Sequence, residues 1–493
     1  MKSRPFRWLF NTLVILIGFY AVLLIPGTAP PEPAPGEKKP FAWNQDEYWS
    51  QLESQFKEVR TSDCAELASD ITARFSEIEK LMMPVSSAGL YPTDTMFEII
   101  EDRFFQLSVL LAACPEKLPD YLELFSRLRK DVKAQSIAWD MNSGLARDRT
   151  YRLLYGGRTA VEEIMMQAGD PSVPEVVPGT AETSATPSAE ILGVVIHSGD
   201  ILVSRGGAPT SALIARGNDY PGNFSHIALA YVDSLTHKVS IIESHIEMGV
   251  AIADIEKYLK DTKLRVMVLR LRSDLPEMRA DPLLPHRAAE YALRRAETEL
   301  IPYDFAMDFE EPSKLFCSEV VSDAYGHVGV GLWAGLSHIS SVGVKAWLAA
   351  FGVENFTTQE PSDLEYDPQL RVVAEWRDFE TLYKDRLDNA VVDIMLESAE
   401  KGERLGCDWY RLPLARIAKA YSVILNQFGG VGPVPEGMDA SAALRNEWFS
   451  ARHNETKEKL LLLAQQFKET NGYAPPYWEL IKLARRAYTY SPD

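Results

Sequence analysis

The most apolar stretch of the chain lies near its N-terminus, at residues 8–25, where only three residues interrupt the hydrophobic side chains. As a helix it would be roughly 27 Å long, close to the minimum that crosses the hydrocarbon layer of a membrane. It carries no polar stripe, which argues against a buried helix of a globular core. The pattern predicts a transmembrane anchor within residues 1–25, and a long cleaved signal with its cut near Ala29 is the alternative.

Basic residues flank this apolar stretch unequally. Three of them precede it, whereas the first ones after it are Lys38 and Lys39, beside Glu37. The positive-inside rule therefore predicts a cytoplasmic N-terminus and a body outside the cytoplasm, on the periplasmic side in a Gram-negative cell. Six prolines among polar residues at 26–40 predict an extended spacer that holds the body away from the membrane.

Downstream of this spacer the hydrophobic period changes twice. Apolar positions recur at intervals of three and four in residues 41–167, which predicts a helical domain. A segment rich in Pro, Ser, Thr and Gly at 168–190 predicts a linker. Short β-branched runs then predict a strand-rich module at 191–350, and a mainly helical region follows at 351–493. The predicted strands are ILGVVI, DILVS, HIALAYV, KVSIIES and RVMVLRL.

Composition narrows the class of protein. The 493 residues include 51 Lys and Arg against 70 Asp and Glu, a net charge of −19 that argues against broad nucleic-acid binding. A hydrophobic fraction of 46% is ordinary for a globular protein. The length exceeds what one hydrophobic core usually organises, so several domains are expected.

The four cysteines are too few for a disulfide scaffold. Cys64 and Cys114 both lie in the predicted helical domain, where they could form a bridge outside the cytoplasm or remain two separate buried thiols. Their spacing does not decide between these alternatives. Cys407 has no evident partner and is expected to be structural.

Candidate catalytic residues are concentrated between residues 199 and 325. Cys317 stands where a polar, irregular stretch gives way to a helical pattern, and a thiol at a helix N-terminus is expected to have a lowered pKa. His226 begins a predicted strand, from which its imidazole could accept the thiol proton and later protonate a leaving group. Glu243 ends the next strand and could orient that ring. Residue types alone leave open that Cys317 and His226 are structural.

Three more residues stand close to these motifs. His245 follows Glu243 by two positions, on the same face of a strand, and competes with it for the orienting role. Tyr303 is a candidate oxyanion donor or a core aromatic, and Asp200 is a candidate cleft residue or part of a turn. The backbone N–H of Cys317 is another oxyanion donor. Because no CxxC or HExxH spacing is present, neither a metal nor a cofactor is predicted.

Five short motifs occur in a specific order: GD before a strand, SHIALAY, a strand that ends in glutamate, PYDF and CSEVV. Together they resemble the YiiX/YebB-like group of permuted NlpC/P60, papain-like cysteine hydrolases, over about residues 190–335. In that group the histidine-bearing strands precede the cysteine-bearing helix. The resemblance implies an α+β fold in which a small antiparallel sheet or half-barrel packs on the cysteine helix, with helical regions on both sides.

The same resemblance implies roles for individual residues. Cys317 would be the nucleophile, His226 its base and Glu243 the third residue. Related lecithin:retinol acyltransferase-like enzymes place a histidine in that third role, which would favour His245. The expected protein is a membrane-anchored, exported cysteine hydrolase.

Its expected substrate is an amide or ester bond in a cell-wall peptide or a lipid acyl group. The expected partners are that substrate and the membrane, through the N-terminal helix, and nucleic acid is not among them. The oligomeric state is not indicated by the sequence. The alternative is a non-catalytic envelope protein that uses a papain-like module for binding or as a scaffold.

Overall fold

The protein is described here by a computed structural model that covers residues 4–25, 38–43, 46–87, 89–169, 173–428, 430–435 and 437–488. Most of the predicted proline-rich spacer, at 26–37, lies outside these residues. The fold is α+β, as expected. The helices before the first strand are α1 (Arg4–Leu23), α2 (Asp46–Val59), α3 (Cys64–Ser87), α4 (Thr95–Ala113), α5 (Leu118–Ser136), α6 (Gly144–Thr150) and α7 (Gly157–Ala168).

The first helix does not support the predicted transmembrane anchor at 1–25. Within the part of the chain that the structure describes, no helix is long and apolar enough to cross a membrane. The helix α1 begins in the basic segment at Arg4 and ends at Leu23, before the predicted apolar stretch is complete. Its apolar portion is therefore roughly 24 Å long, against a hydrocarbon layer of about 30 Å.

Helices α2–α7 contribute most of one apolar core. The α4 residues Phe97, Ile100, Phe104 and Leu107 are buried, as their spacing predicted. Cys64 at the start of α3 and Cys114 at the end of α4 form a disulfide, with their Cα atoms 5.4 Å apart. Of the two alternatives that the sequence left open for this pair, the structure contains the bridge.

The strands follow this helical region. They are β1 (Val176–Pro178), β2 (Ser188–Ile191), β3 (Val194–His197), β4 (Ile201–Gly206), β5 (His226–Val232), β6 (Val239–His245), β7 (Gly249–Asp254), β8 (Lys263–Leu271), β9 (Ser337–His338), β10 (Thr357–Thr358) and β11 (Leu370–Trp376). Seven of these described strands form one antiparallel sheet in the order β1–β11–β8–β4–β5–β6–β7. The β2–β3 and β9–β10 pairs lie outside it.

The remaining helices lie between and after the strands. They are α8 (Pro209–Arg216), α9 (Ile255–Lys260), α10 (Pro276–Ala280), α11 (Leu284–Thr298), α12 (Cys317–His327), α13 (Val342–Phe351), α14 (Asp363–Tyr366), α15 (Phe379–Glu400), α16 (Leu412–Asn426), α17 (Ala440–Asn471) and α18 (Tyr477–Ala487). Helix α12 packs against β5 and β6, and α11 lies beside it.

Alternation along β5 divides its side chains between two cores. Ile227 and Leu229 belong to the core that includes Val320 and Val321 of α12. Ala228 and Ala230 face the other way, towards the β2–β3 pair. This follows from the period of two in a strand, and it determines on which face each polar residue of β5 and β6 must lie.

Two strands of the seven-stranded sheet lie outside the predicted strand-rich module at 191–350. β1 falls inside the predicted linker at 168–190, and it pairs at the sheet edge with β11, which falls inside the predicted helical region at 351–493. A three-residue edge strand that ends in proline carries no periodic signal, and a short apolar run such as LRVVAEW does not distinguish a strand from a buried helix. The sheet thus extends past residue 350. The proposed domain boundaries themselves stay predictions.

A buried set of ion pairs joins the N-terminal helices to the sheet and to α15. Glu162 of α7 lies 2.6 Å from Arg265 of β8 and 3.0 Å from Arg158. Arg265 also lies 2.6 Å from Asp385 of α15, and Arg158 lies 2.7 Å from Glu365. We call these five residues the central ion network. Because each charge has a partner at hydrogen-bonding distance, the network tolerates burial that an isolated charge would not.

Candidate active site

Two histidines and a glutamate meet at the end of the β5–β6 pair. Ala228 lies opposite Glu243, so continuing this register places His226 opposite His245. The Nε2 atom of His226 lies 2.7 Å from one carboxylate oxygen of Glu243, and Nε2 of His245 lies 3.1 Å from the other. The two imidazole rings are stacked with their centroids 5.5 Å apart. Strand alternation explains why all three side chains share one face.

The charges in this cluster favour an ionised glutamate. Burial opposes ionisation of Glu243, but hydrogen bonds from His226 and His245 outweigh it and hold the pKa of Glu243 well below its usual range. Burial alone would lower the pKa of His245, whereas the hydrogen bond to Glu243 and its charge raise it. The carboxylate is therefore an acceptor for two ring N–H groups.

Cys317 is the first residue of α12, as the change of pattern predicted. The carboxyl group of Glu319 caps this helix by accepting a hydrogen bond of 2.7 Å from the backbone N–H of Phe316. The thiol of Cys317 is buried and accepts a hydrogen bond from the backbone N–H of Ile227, the residue that follows His226. The nucleophile candidate and the histidine cluster therefore lie at the same end of β5.

The predicted low pKa of Cys317 is wrong for this structure. Burial raises the pKa of Cys317 to about 12, and the nearby charge of Glu360 adds to the increase. Hydrogen bonds from the backbone N–H of Ile227 and from Ser318 act in the opposite direction but do not compensate. The thiol is thus neutral, because desolvation penalises a thiolate more than one helix N-terminus stabilises it.

Ile227, whose backbone N–H contacts the thiol, and His226 point their side chains to opposite faces of β5. Ile227 packs on α12, the helix that carries Cys317, whereas His226 and its partner Glu243 lie on the alternate face. Among the described residues, no hydrogen bond joins the Cys317 thiol to the His226 ring. The structure therefore assembles the His226–Glu243–His245 cluster and brings Cys317 next to it, without a preformed thiol–imidazole pair. The catalytic roles of all four residues stay predictions.

Two further residues interact electrostatically with the thiol of Cys317. Tyr303 is partly buried, and burial together with the charges of Cys317 and Glu360 raises its pKa well above its usual value. Glu360, which precedes α14, is buried and has one carboxylate oxygen without a hydrogen-bond partner. Burial, with a smaller effect of Asp363, raises the pKa of Glu360 to about 8. Sequence reasoning missed Glu360, because it belongs to no motif and reaches the site only through the fold.

Asp200 has structural contacts. Its carboxylate forms an ion pair with Arg270 at 2.7 Å and accepts a hydrogen bond of 2.8 Å from the backbone N–H of His197. It is 1% exposed. Of the two interpretations that the sequence allowed, these contacts favour the turn residue over the cleft residue.

The histidine cluster also has the chemistry of a metal-binding set. The candidate ligand atoms of His226, Glu243 and His245 lie within 4.8 Å of one another. Two imidazoles and a carboxylate suit a divalent transition metal, although the same atoms are already paired by hydrogen bonds. The expectation that the protein needs no metal stays a prediction.

Comparison with known proteins finds one family whose model matches the part of the chain that carries this site. The family model described as a permuted papain-like amidase enzyme, YaeF/YiiX, C92 family, matches residues 195–374. The matched residues run from β3 to β11 and contain the histidine cluster followed by the cysteine helix, the order that the sequence motifs indicated. The match supports a cysteine-type hydrolase of amide bonds. No curated protein and no solved structure matches the chain. Residues 195–374, which carry most of the sheet and the cysteine helix, therefore resemble the permuted papain-like amidases of the YaeF/YiiX, C92 family.

Proposed function

We propose that the protein is an exported cysteine hydrolase that cleaves an amide or ester bond, with Cys317 as its nucleophile. The observation that carries this proposal is the position of Cys317 at the N-terminus of α12, at the same end of β5 as the His226–Glu243 pair. The family match over residues 195–374 supports the same class of reaction.

The reaction begins with a neutral thiol. The Cys317 proton passes to His226, the sulfur attacks the carbonyl carbon, and the backbone N–H of Cys317 donates to the developing oxyanion. The imidazolium then protonates the departing amine or alcohol, and water hydrolyses the acyl-enzyme. Glu243 stabilises the imidazolium throughout.

This sequence requires one movement. Since no hydrogen bond joins the Cys317 thiol to the His226 ring among the described residues, the two groups must approach each other before the proton can pass. We propose that substrate binding brings the two groups together, as catalytic hydrogen bonds often tighten only in the substrate complex.

The proposed location is outside the cytoplasm, with the N-terminal segment holding the body at the membrane. The Cys64–Cys114 disulfide supports an oxidising compartment, because such bridges seldom persist in the cytosol. A cell-wall peptide and a lipid acyl group are both substrates that such a location would offer.

The second candidate function is a binding module without catalysis. The raised pKa of Cys317 and its lack of a hydrogen bond to His226 favour this alternative. Under it, the papain-like module would hold a peptide or acyl ligand, and neither residue would take part in chemistry.

Turnover by matched variants separates the two functions. The full-length protein would be assayed on fluorogenic peptide amides, N-acyl amines and acyl esters, with Cys317→Ser, His226→Ala and, as control, Cys407→Ser. We expect the first two variants to lose turnover while keeping wild-type circular dichroism, and the control to keep its activity. Wild-type protein that binds such a compound without turnover and without an acyl adduct on Cys317, measured by mass spectrometry, would favour the binding module.

A further inference from the structure

Helix α1 exposes apolar side chains in every direction. The five consecutive residues from Leu13 to Ile17 are between 51% and 69% exposed. Because successive residues of a helix are rotated by about 100°, five of them cover its whole circumference. The apolar surface of α1 is therefore not a single stripe that one neighbouring protein element could cover.

Helix α16 adds a second apolar surface, which we call the α16 stripe. It consists of Leu414, Ile417, Tyr421 and Ile424 on the helix and Phe428 two residues after its end, each more than half exposed. Their spacing of three and four residues places them on one side of the helix. A neighbouring side of α16 packs inward through Ala418. The helix thus has its apolar stripe facing solvent, the reverse of the usual arrangement.

The two surfaces are continuous. Arg416 of α16 donates to the carbonyl groups of Leu23 and Ile25 at 2.8 and 2.7 Å. The hydroxyl of Tyr20 donates to the carbonyl group of Tyr410, just before α16, at 3.0 Å. The body of the protein therefore presents an apolar face directly beside the N-terminal helix.

We propose that α1 and the α16 stripe form one docking surface that lies in the interfacial layer of a lipid bilayer containing anionic lipids. Acyl chains surround an inserted helix, whereas a second protein copy would cover one side of α1 only. Trp409, Tyr410 and Tyr421 at this surface are the aromatic types that favour the membrane interface. The proposal concerns a surface of the folded body and requires no helix that spans the membrane.

The positive charge of the N-terminal residues favours binding to a bilayer with anionic lipids. Lys2, Arg4 and Arg7 are basic, and the first acidic residue of the chain is Glu32, although the whole protein carries a net charge of −19. Basic residues beside an apolar helix bind anionic headgroups and offset the repulsion that an acidic body experiences.

The docking surface lies close to the candidate active site. Ala418, on the inner side of α16, and Phe305 pack against one core cluster. The ring of Phe305 lies 5.1 Å from that of Tyr303, which interacts electrostatically with Cys317. One helix and this core cluster therefore lie between the proposed bilayer contact and the Tyr303 segment. Such a position would favour a lipid-embedded substrate, a consequence that rests on the proposed function, whereas the docking does not.

Vesicle flotation of the full-length protein tests the docking surface. Vesicles of phosphatidylcholine, with and without phosphatidylglycerol, would be compared for the wild type, for Ile417→Asp with Ile424→Asp, and for the control Leu235→Asp, whose side chain is 88% exposed in the β5–β6 turn. We expect the wild type and the control to float, more strongly with phosphatidylglycerol. The double variant should lose about tenfold or more in partitioning, because two buried apolar contacts become charged.

Several outcomes would overturn the proposal. The first is a wild type that does not float, and the second is a double variant that floats as well as the control. The third is a wild type that binds no vesicles but forms a concentration-dependent dimer, which the double variant does not form. The last result would assign the surface to a second copy of the chain. Thermal unfolding and turnover on a soluble substrate would be measured for every variant. Loss of flotation with unchanged turnover separates this proposal from the proposed function, and absence of turnover in all variants leaves the flotation result intact.

Discussion

The carboxylate of Glu243 accepts a hydrogen bond from Nε2 of His226 at 2.7 Å. This bond leaves the Nδ1 atom of the ring for the thiol proton and holds the ring against free rotation. The second oxygen of Glu243 lies 3.1 Å from His245, so the same carboxylate is fixed from both sides. In the proposed mechanism, His245 would position Glu243, and Glu243 would position His226.

Substitutions of Glu243 and of His245 should lower kcat by different amounts. Glu243→Gln removes the charge that stabilises an imidazolium and should lower kcat by up to about 10⁴. His245→Gln replaces one of the two imidazole partners of Glu243 by a neutral amide and should have a smaller effect on kcat, with an altered pH profile. Steady-state kinetics across a pH series would measure both. Activity that survives Glu243→Gln and collapses in His245→Gln would transfer the third role to His245.

Thiol alkylation should show that Cys317 is protonated at neutral pH. Because burial raises the pKa of Cys317 to about 12, iodoacetamide should modify it slowly at pH 7. Cys407 is only partly buried and serves as the internal reference. Peptide mapping by mass spectrometry over a pH series should show Cys317 labelling that rises steeply only in alkaline solution. Fast labelling of Cys317 at pH 6 in the folded protein would contradict this assignment.

The charge of Glu360 should slow the alkylation of Cys317 above about pH 8. Its pKa is raised to about 8, so it is neutral at lower pH and negative at higher pH, where its charge opposes ionisation of Cys317. Glu360→Gln should therefore accelerate alkylation of Cys317 above pH 8 and leave it unchanged below pH 7. The exposed Glu354→Gln is the matched control. Equal rates in both variants at every pH would show that Glu360 does not act on the thiol.

The Cys64–Cys114 disulfide should contribute about 4 kcal/mol to the free energy of unfolding. This value follows from closing a loop between residues that are 50 positions apart in the chain. Denaturant unfolding of Cys64→Ser with Cys114→Ser, compared with the wild type, would measure it. An unchanged midpoint, together with free thiols in the oxidised wild type, would show that the bridge does not form.

The central ion network should make the fold sensitive to loss of a single partner and to acid. Glu162→Ala leaves Arg265 and Arg158 buried with fewer partners and should cost about 3–5 kcal/mol of unfolding free energy. Burial opposes ionisation of Glu162, but these arginines lower its pKa. Because the pKa of Glu162 is lower in the folded state than in the unfolded state, its ionised form stabilises the fold above the unfolded-state pKa. This stability decreases as the pH falls below the unfolded-state pKa, and it is lost once the pH passes the folded-state pKa. Thermal unfolding from pH 7 to pH 3, with exposed Glu354→Ala as control, would test this.

The alternation of apolar and polar residues and the order of the motifs predicted four strands and the start of the cysteine helix. The runs DILVS, HIALAYV, KVSIIES and RVMVLRL correspond to β4, β5, β6 and β8, and the change of pattern at Cys317 marks the start of α12. Glu243 and His245 share a face because a strand repeats every two residues, which the sequence alone could show. β1 and β11 escaped prediction, since their pairing joins segments about two hundred residues apart and neither segment has a decisive local pattern.

The sequence by itself determined which reactive groups are present, their order along the chain and the strand and helix that carry them, because these depend on local periodicity. Only the tertiary structure decided the state of those groups. Burial at the start of α12 makes Cys317 a neutral thiol, and the fold brings Glu360 near it from a distant segment. It also pairs Cys64 with Cys114 and leaves the α16 stripe in solvent. Desolvation, pairing and exposure depend on which remote segments pack together, and such contacts leave no periodic trace in the chain.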